Sequence, residues 1–249
     1  MNTPRRTLRL LGGLALGIAV VLAGTAPVTA TDRYRQDVAR RADFVPQTNF
    51  VQCVGASLQM MINMLEPGRD RSAKEQLRLQ KLARKLSPPR RDGTIRQGAS
   101  VRGWVKVLRR EVDQPYRLVG ADSLNQAVKM AARAIDRTGA PVGLLVWRGR
   151  HAWVMSGFTS TKPLSQGGKV SSVTIYDPLY PYGDDFWGPS PKPGVPISIK
   201  ALGRQFVPRR TNNNGNQFQT TLQQAYPTLS GKYVLVLPYR PHTPVRRPA

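Results

Sequence analysis

The segment QTNFVQCVGASLQMMINML, residues 47–65, decides how this chain is read. From Val54 onward Val54, Leu58, Met61, Ile62 and Leu65 recur at helical intervals, which predicts a buried helix opened by Cys53. Cys53 is the only cysteine in 249 residues. The small residues Gly55, Ala56 and Ser57 follow it and leave room for an approaching group. A helix N-terminus carries partial positive charge from N–H groups with no partner inside the helix. A thiol at such a place gives up its proton more readily, and the thiolate is the nucleophile. Gln47, six residues upstream, stands where an amide donor helps to bind an oxyanion. Taken alone, a free cysteine is more often a small buried hydrophobe, so the rest of the chain has to decide.

Working outward, the composition is globular: 40% hydrophobic residues, with 4 Trp, 8 Tyr and 6 Phe to build a core. The length suits one substantial domain. The N-terminus reads as an export signal instead of part of the fold. Arg5, Arg6 and Arg9 precede an uncharged run from Leu10 to Ala26, and Val28-Thr29-Ala30 supplies small residues for cleavage. That run, 17 residues with four glycines, is marginal for a permanent span. Cleavage near Ala30 is therefore expected, with an uncleaved membrane anchor as the alternative. RRTLRLL also resembles a twin-arginine signal, so either that route or the general secretory one fits.

The chain carries a net charge of +24. Residues 1–30 hold three of the 38 basic residues and no acid, so the remainder keeps 35 basic against 14 acidic side chains, a net +21. Such a charge draws a protein to polyanions, and for an exported chain anionic wall polymers or lipid headgroups outrank nucleic acid. The arginines are dispersed and read first as a solvated basic surface. A single cysteine excludes an internal disulfide, and an exported protein with a leftover thiol either pairs it between chains or uses it. An idle thiol outside the cell is exposed to oxidation. Two histidines and one cysteine argue against a zinc cage, and no cofactor is expected.

Residues 31–43 form a basic lead-in, expected to hold a short helix, before a domain spanning 44–239 and a disordered tail over 240–249. Phe44-Val45-Pro46 reads as an extended approach to the Gln47 segment. Ser72 with Glu75 fits a capping box ahead of a helix whose stripe is drawn through Leu79, Leu82, Ala83 and Leu86. A third helix runs from the cap Ser100 to about Glu111, with Val101, Trp104, Val105 and Leu108 inward. A fourth starts at Ser123 and closes at Gly139. The character then changes to strands: 141–147, 151–158, 170–176 and 232–239, with a short helix near 198–206. Helices first and an antiparallel sheet second is an α+β arrangement.

Of the two histidines, His242 lies in the Pro-rich tail, whereas His151 opens a strand behind the Arg148-Gly149-Arg150 turn. Alternation puts His151, Trp153 and Met155 on one face of that strand and Ala152, Val154 and Phe158 on the other. Asp177 ends the next strand. In an antiparallel hairpin the start of 151–158 and the end of 170–176 lie side by side, which brings His151 and Asp177 together. Asp184 and Asp185 are competing acids on a looser loop. A thiol nucleophile needs an imidazole beside it, the imidazole needs a third group to orient it, and the oxyanion needs donors. The Gln47 amide and the Cys53 N–H are placed for the last role.

QTNFVQC, GLLVWRGRHAWVMSGF and VTIYDPLYP, in that order, resemble the papain-like cysteine peptidases, specifically the bacterial type related to the double-glycine leader peptidases of bacteriocin exporters. The similarity covers about residues 44–180. It implies a papain-like fold with Cys53 as nucleophile, His151 as base, Asp177 as its orienting acid and Gln47 as oxyanion donor, acting on a peptide or protein substrate. One departure stands out: the family shows Asp-Cys-Gly, whereas this chain has Gln52-Cys53-Val54-Gly55. A valine directly after the nucleophile is placed to crowd a substrate's backbone. Besides a thiol peptidase or amidase, two other readings follow: a catalytically silent binding module on the same fold, and an enzyme that transfers the acyl group to an amine.

Overall fold

The computed structural model describes residues 33–88, 97–209 and 229–240. In chain order these form β1 (Tyr34–Asp37), α1 (Cys53–Leu65), α2 (Ala73–Lys85), α3 (Val101–Glu111), β2 (Tyr116–Ala121), α4 (Leu124–Thr138) and β3 (Val142–Val146). There follow β4 (His151–Ser160), β5 (Val170–Tyr176), β6 (Gly183–Asp184), β7 (Gly188–Pro189), β8 (Pro196–Ser198), α5 (Ile199–Gln205) and β9 (Tyr233–Pro238). The export signal expected at residues 1–30 and the tail with His242 lie outside the described residues. Among the described residues no helix is long and apolar enough to cross a membrane.

The architecture is α+β. The N-terminal helices pack on a seven-stranded sheet of order β2-β9-β3-β4-β5-β8, with β1 added beside β4. The helices begin where their caps dictate. Ser72 Oγ accepts the Glu75 N–H at 3.2 Å, Ser100 Oγ that of Gly103 at 3.1 Å, and Ser123 Oγ that of Gln126 at 3.2 Å. Each such cap stabilises by about 1 kcal/mol. Gly139, at φ 62, closes α4 in the left-handed conformation that a side chain disfavours.

Two core layers cover the two faces of the sheet. On one, Leu58, Met61 and Ile62 of α1, Leu79 of α2 and Trp104 and Leu108 of α3 meet Ala152, Val154 and Val236. On the other, Ala131 and Ile135 of α4 and Leu202 of α5 meet Leu144, Trp153, Met155 and Phe158. Burying each large aliphatic side chain contributes about 1.5–3 kcal/mol, so the helices are held chiefly by these faces.

Two expectations are corrected. Phe158 joins Trp153 and Met155 on the α4 side instead of opposing them. The cause is a bulge: Met155 pairs with Ile175 and Gly157 with Thr174, so β4 carries one extra residue between those pairs. Such an insertion moves every later side chain to the other face. The lead-in supplies a strand, β1, where a short helix was expected, with only a 3-10 turn at Arg41–Asp43. β3 covers β4 only from His151 to Met155, and β1 pairs with the remaining Gly157–Ser160 stretch. Gly157 permits this, since a Cβ there would lie 2.4 Å from the Gln36 carbonyl oxygen.

Candidate active site

The chain around the start of α1 is tied to the start of β4 by a side-chain hydrogen bond and to the residue after β5 and Asp177 by a backbone one. One turn beyond Cys53, Ser57 Oγ donates to the Ala152 carbonyl at 3.2 Å. Ahead of the helix, the Gln47 N–H donates to the Pro178 carbonyl at 2.7 Å. The residues next to His151 and next to Asp177 are thereby tied to the chain on either side of Cys53.

Within that frame His151 Nε2 lies 2.7 Å from Asp177 Oδ1. Both are shielded from water, His151 at 4% exposure and Asp177 at 0%. Asp177 Oδ1 also accepts the Leu179 N–H at 2.8 Å, which fixes the carboxylate, while Oδ2 is buried without a hydrogen-bond partner among the described residues. With Nε2 committed to Asp177, Nδ1 is the ring nitrogen left to serve a thiol. Cys53 is half-buried and close enough to the same imidazole to bear on its charge. Burial works against the imidazolium, but the hydrogen bond to Asp177, and after it the interaction with Cys53, outweigh burial and raise His151 to about 9.

Gln47 is held in place but only partly available. Its Nε2 donates to the Asn49 carbonyl at 2.9 Å, which leaves the second amide hydrogen for an oxyanion. Val54 is buried at 3% and packs among α1–α3, so its side chain belongs to the core. Asp184 turns to its own loop, with Oδ1 accepting the N–H groups of Phe186 and Trp187 at 3.0 Å each.

Two features escaped the sequence reading. One is a pair of buried glutamines on α2. Gln76 Oε1 accepts the Thr48 N–H at 2.9 Å and its Nε2 donates to the Pro46 carbonyl at 2.9 Å. Gln80 Oε1 accepts the Gly55 N–H at 3.0 Å and its Nε2 donates to the Val51 carbonyl at 2.8 Å. The loop from Pro46 to Cys53 is thus clamped from α2 by side-chain amides. The available signal was the spacing of Gln76, Leu79, Gln80 and Ala83, a buried line with two polar members. Gln80→Leu keeps the bulk but leaves the Gly55 and Val51 groups unpaired, at about 1–3 kcal/mol for each that stays buried. Chemical denaturation should show a loss of about 2–4 kcal/mol, and a loss below about 0.5 kcal/mol would mean the loop is held by other contacts.

The other feature is Trp147, whose ring stacks on His151 with centroids 4.2 Å apart and planes at 22°. Its Nε1 donates to Gln205 Oε1 at 2.9 Å, and Gln205 Nε2 donates to the Pro189 carbonyl at 3.0 Å. An aromatic face against a protonated imidazole is attractive and keeps water off it. In sum, the structure places His151 against Asp177, with Gln47 tied by its N–H to Pro178, the residue after Asp177. Compared with protein-family models and with curated proteins, the sequence gives no match.

Proposed function

We propose that this protein is an exported, papain-like thiol hydrolase acting on peptide or amide bonds. The observation that carries the reading is the buried His151–Asp177 pair, set beside the helix that opens at the chain's one cysteine and is bonded to β4 through Ser57. Cys53 sulfur attacks the carbonyl carbon, and the C=O electron pair moves to oxygen, where the Gln47 amide and the Cys53 N–H receive it. His151 gives its proton to the departing amine as the C–N bond breaks, leaving a thioester. Water then attacks the thioester, His151 takes a proton from it, and the sulfur leaves. The basic exterior holds the protein at anionic wall polymers or lipid headgroups.

The test uses the single thiol. At neutral pH iodoacetamide should alkylate Cys53 at least about tenfold faster than it alkylates glutathione, because an imidazolium beside a thiol favours the thiolate. A rate equal to that of glutathione sinks the proposal. One observation favours the silent binding module, namely that a Gln47 amide hydrogen is spent on Asn49. Under that reading Cys53→Ser keeps full affinity for anionic polymers and full biological activity. Acyl transfer is separated from hydrolysis by products formed with and without an added amine.

A further inference from the structure

The turn between β3 and β4 is strained, and the strain divides its side chains between two tasks. Trp147 and Arg148 both adopt φ 55, a left-handed conformation that costs a side-chain-bearing residue about 1–2 kcal/mol. In this conformation the Trp147 ring is buried against His151, while Arg148 and Arg150 are exposed. Facing them is the hairpin formed by β6 and β7. Asp184 caps its turn, leaving Phe186 80% exposed and packed edge-on to Trp187 at 4.8 Å. Arg148, Arg150, Asp184, Phe186 and Trp187 line a cleft of about 330 Å³.

The charge in this cleft is unbalanced. Asp184 already accepts two backbone N–H groups through one oxygen, and none of the ion pairs among the described residues involves Arg148 or Arg150. A guanidinium fork matches a carboxylate in both shape and charge. The exposed Phe186 ring gains by being covered with apolar substrate atoms. Arg150 directly precedes His151, so the backbone of one wall of the cleft runs straight into the residue that carries the imidazole.

Resting on the thiol-hydrolase reading, we propose that this cleft is the specificity subsite and selects acidic peptides carrying a carboxylate within one or two residues of the bond attacked. The carboxylate comes from an Asp or Glu side chain or from a free C-terminus.

The experiment compares alkylation of Cys53 by iodoacetate, which carries a carboxylate, and by neutral iodoacetamide, each normalised to glutathione at low ionic strength. The iodoacetate preference should exceed that of glutathione about fivefold or more, since a fixed positive cleft concentrates the anionic reagent. Arg148→Gln/Arg150→Gln should lower it about fivefold. Arg150→Gln alone, at an unstrained φ of −97, should lower it in part, and Arg148→Lys/Arg150→Lys should retain most of it. Lys129→Ala/Arg133→Ala on α4, lining a different cleft, should leave it unchanged. A preference unaffected by loss of Arg148 and Arg150, or reduced as much by the α4 pair, overturns the inference.

Protection of Cys53 from iodoacetamide by peptides then separates the two sources. Glu against Gln peptides report a side-chain carboxylate, and free against amidated C-termini report a terminal one. Equal protection by all four also overturns the proposal. A slow absolute rate with iodoacetamide counts against the hydrolase alone, because the preference is a ratio and is read at any rate.

Discussion

His151→Ala is expected to reduce peptide or amide hydrolysis by about a thousandfold and to slow alkylation of Cys53 by iodoacetamide at neutral pH to the rate of glutathione. His151 is the only histidine among the described residues, so no second imidazole takes its place. In the proposed reaction it performs both proton transfers: to the amine as the first bond breaks, and from water as the thioester opens. Effects of groups that act as a unit are not additive, so His151→Ala/Cys53→Ala should be no worse than Cys53→Ala. The ring stacks on Trp147, and its removal leaves a hole there. Tryptophan fluorescence and melting temperature on the same sample separate lost chemistry from lost packing. A folded His151→Ala protein that keeps hydrolysis within tenfold of wild type removes His151 from the reaction.

Much of the frame behind that prediction was readable from residue patterns. α1 and β3–β5 are strongly periodic or continuously apolar, and their ends fell within two residues of the expected places. The His151–Asp177 contact was expected from hairpin geometry, since an antiparallel β4–β5 pair in this register brings the start of β4 beside the end of β5. What escaped depends on partners distant in the chain. β1, YRQD, has no apolar alternation of its own and becomes a strand because β4 outruns β3. The stripe drawn through Leu79, Leu82, Ala83 and Leu86 lies one position round from the buried line through Gln76, Leu79, Gln80 and Ala83. Those glutamines are buried because the loop before Cys53 needs donors and acceptors. Trp147 read as the end of a strand, and nothing local announces that its backbone turns left-handed to bring the ring onto His151.

Asp177→Asn should change the pH dependence of stability as well as the rate. In the wild type His151 is raised from the ordinary 6.5 to about 9. A raised histidine contributes stability that is fully present below about pH 6.5 and is lost as pH climbs through about 9. The gap corresponds to roughly 3 kcal/mol. The Asp177 hydrogen bond is the largest influence raising His151, and burial is the influence opposing it. With an amide in place of the carboxylate burial is opposed mainly by Cys53, so the stabilisation at low pH should shrink or reverse. Wild type and variant should therefore differ most near pH 6 and converge above pH 9, where both imidazoles are neutral. Melting temperature measured from pH 5.5 to 10 reads this directly. For a domain of this size about 3 kcal/mol corresponds to a difference on the order of 10 °C at the acidic end. An amide also loses the acceptor strength that selects the imidazole's orientation, so hydrolysis should fall even at pH values where stability is equal. If the two melting curves run parallel across the whole range, Asp177 does not set the charge of His151, and the assignment of Asp177 as its orienting acid falls with that result.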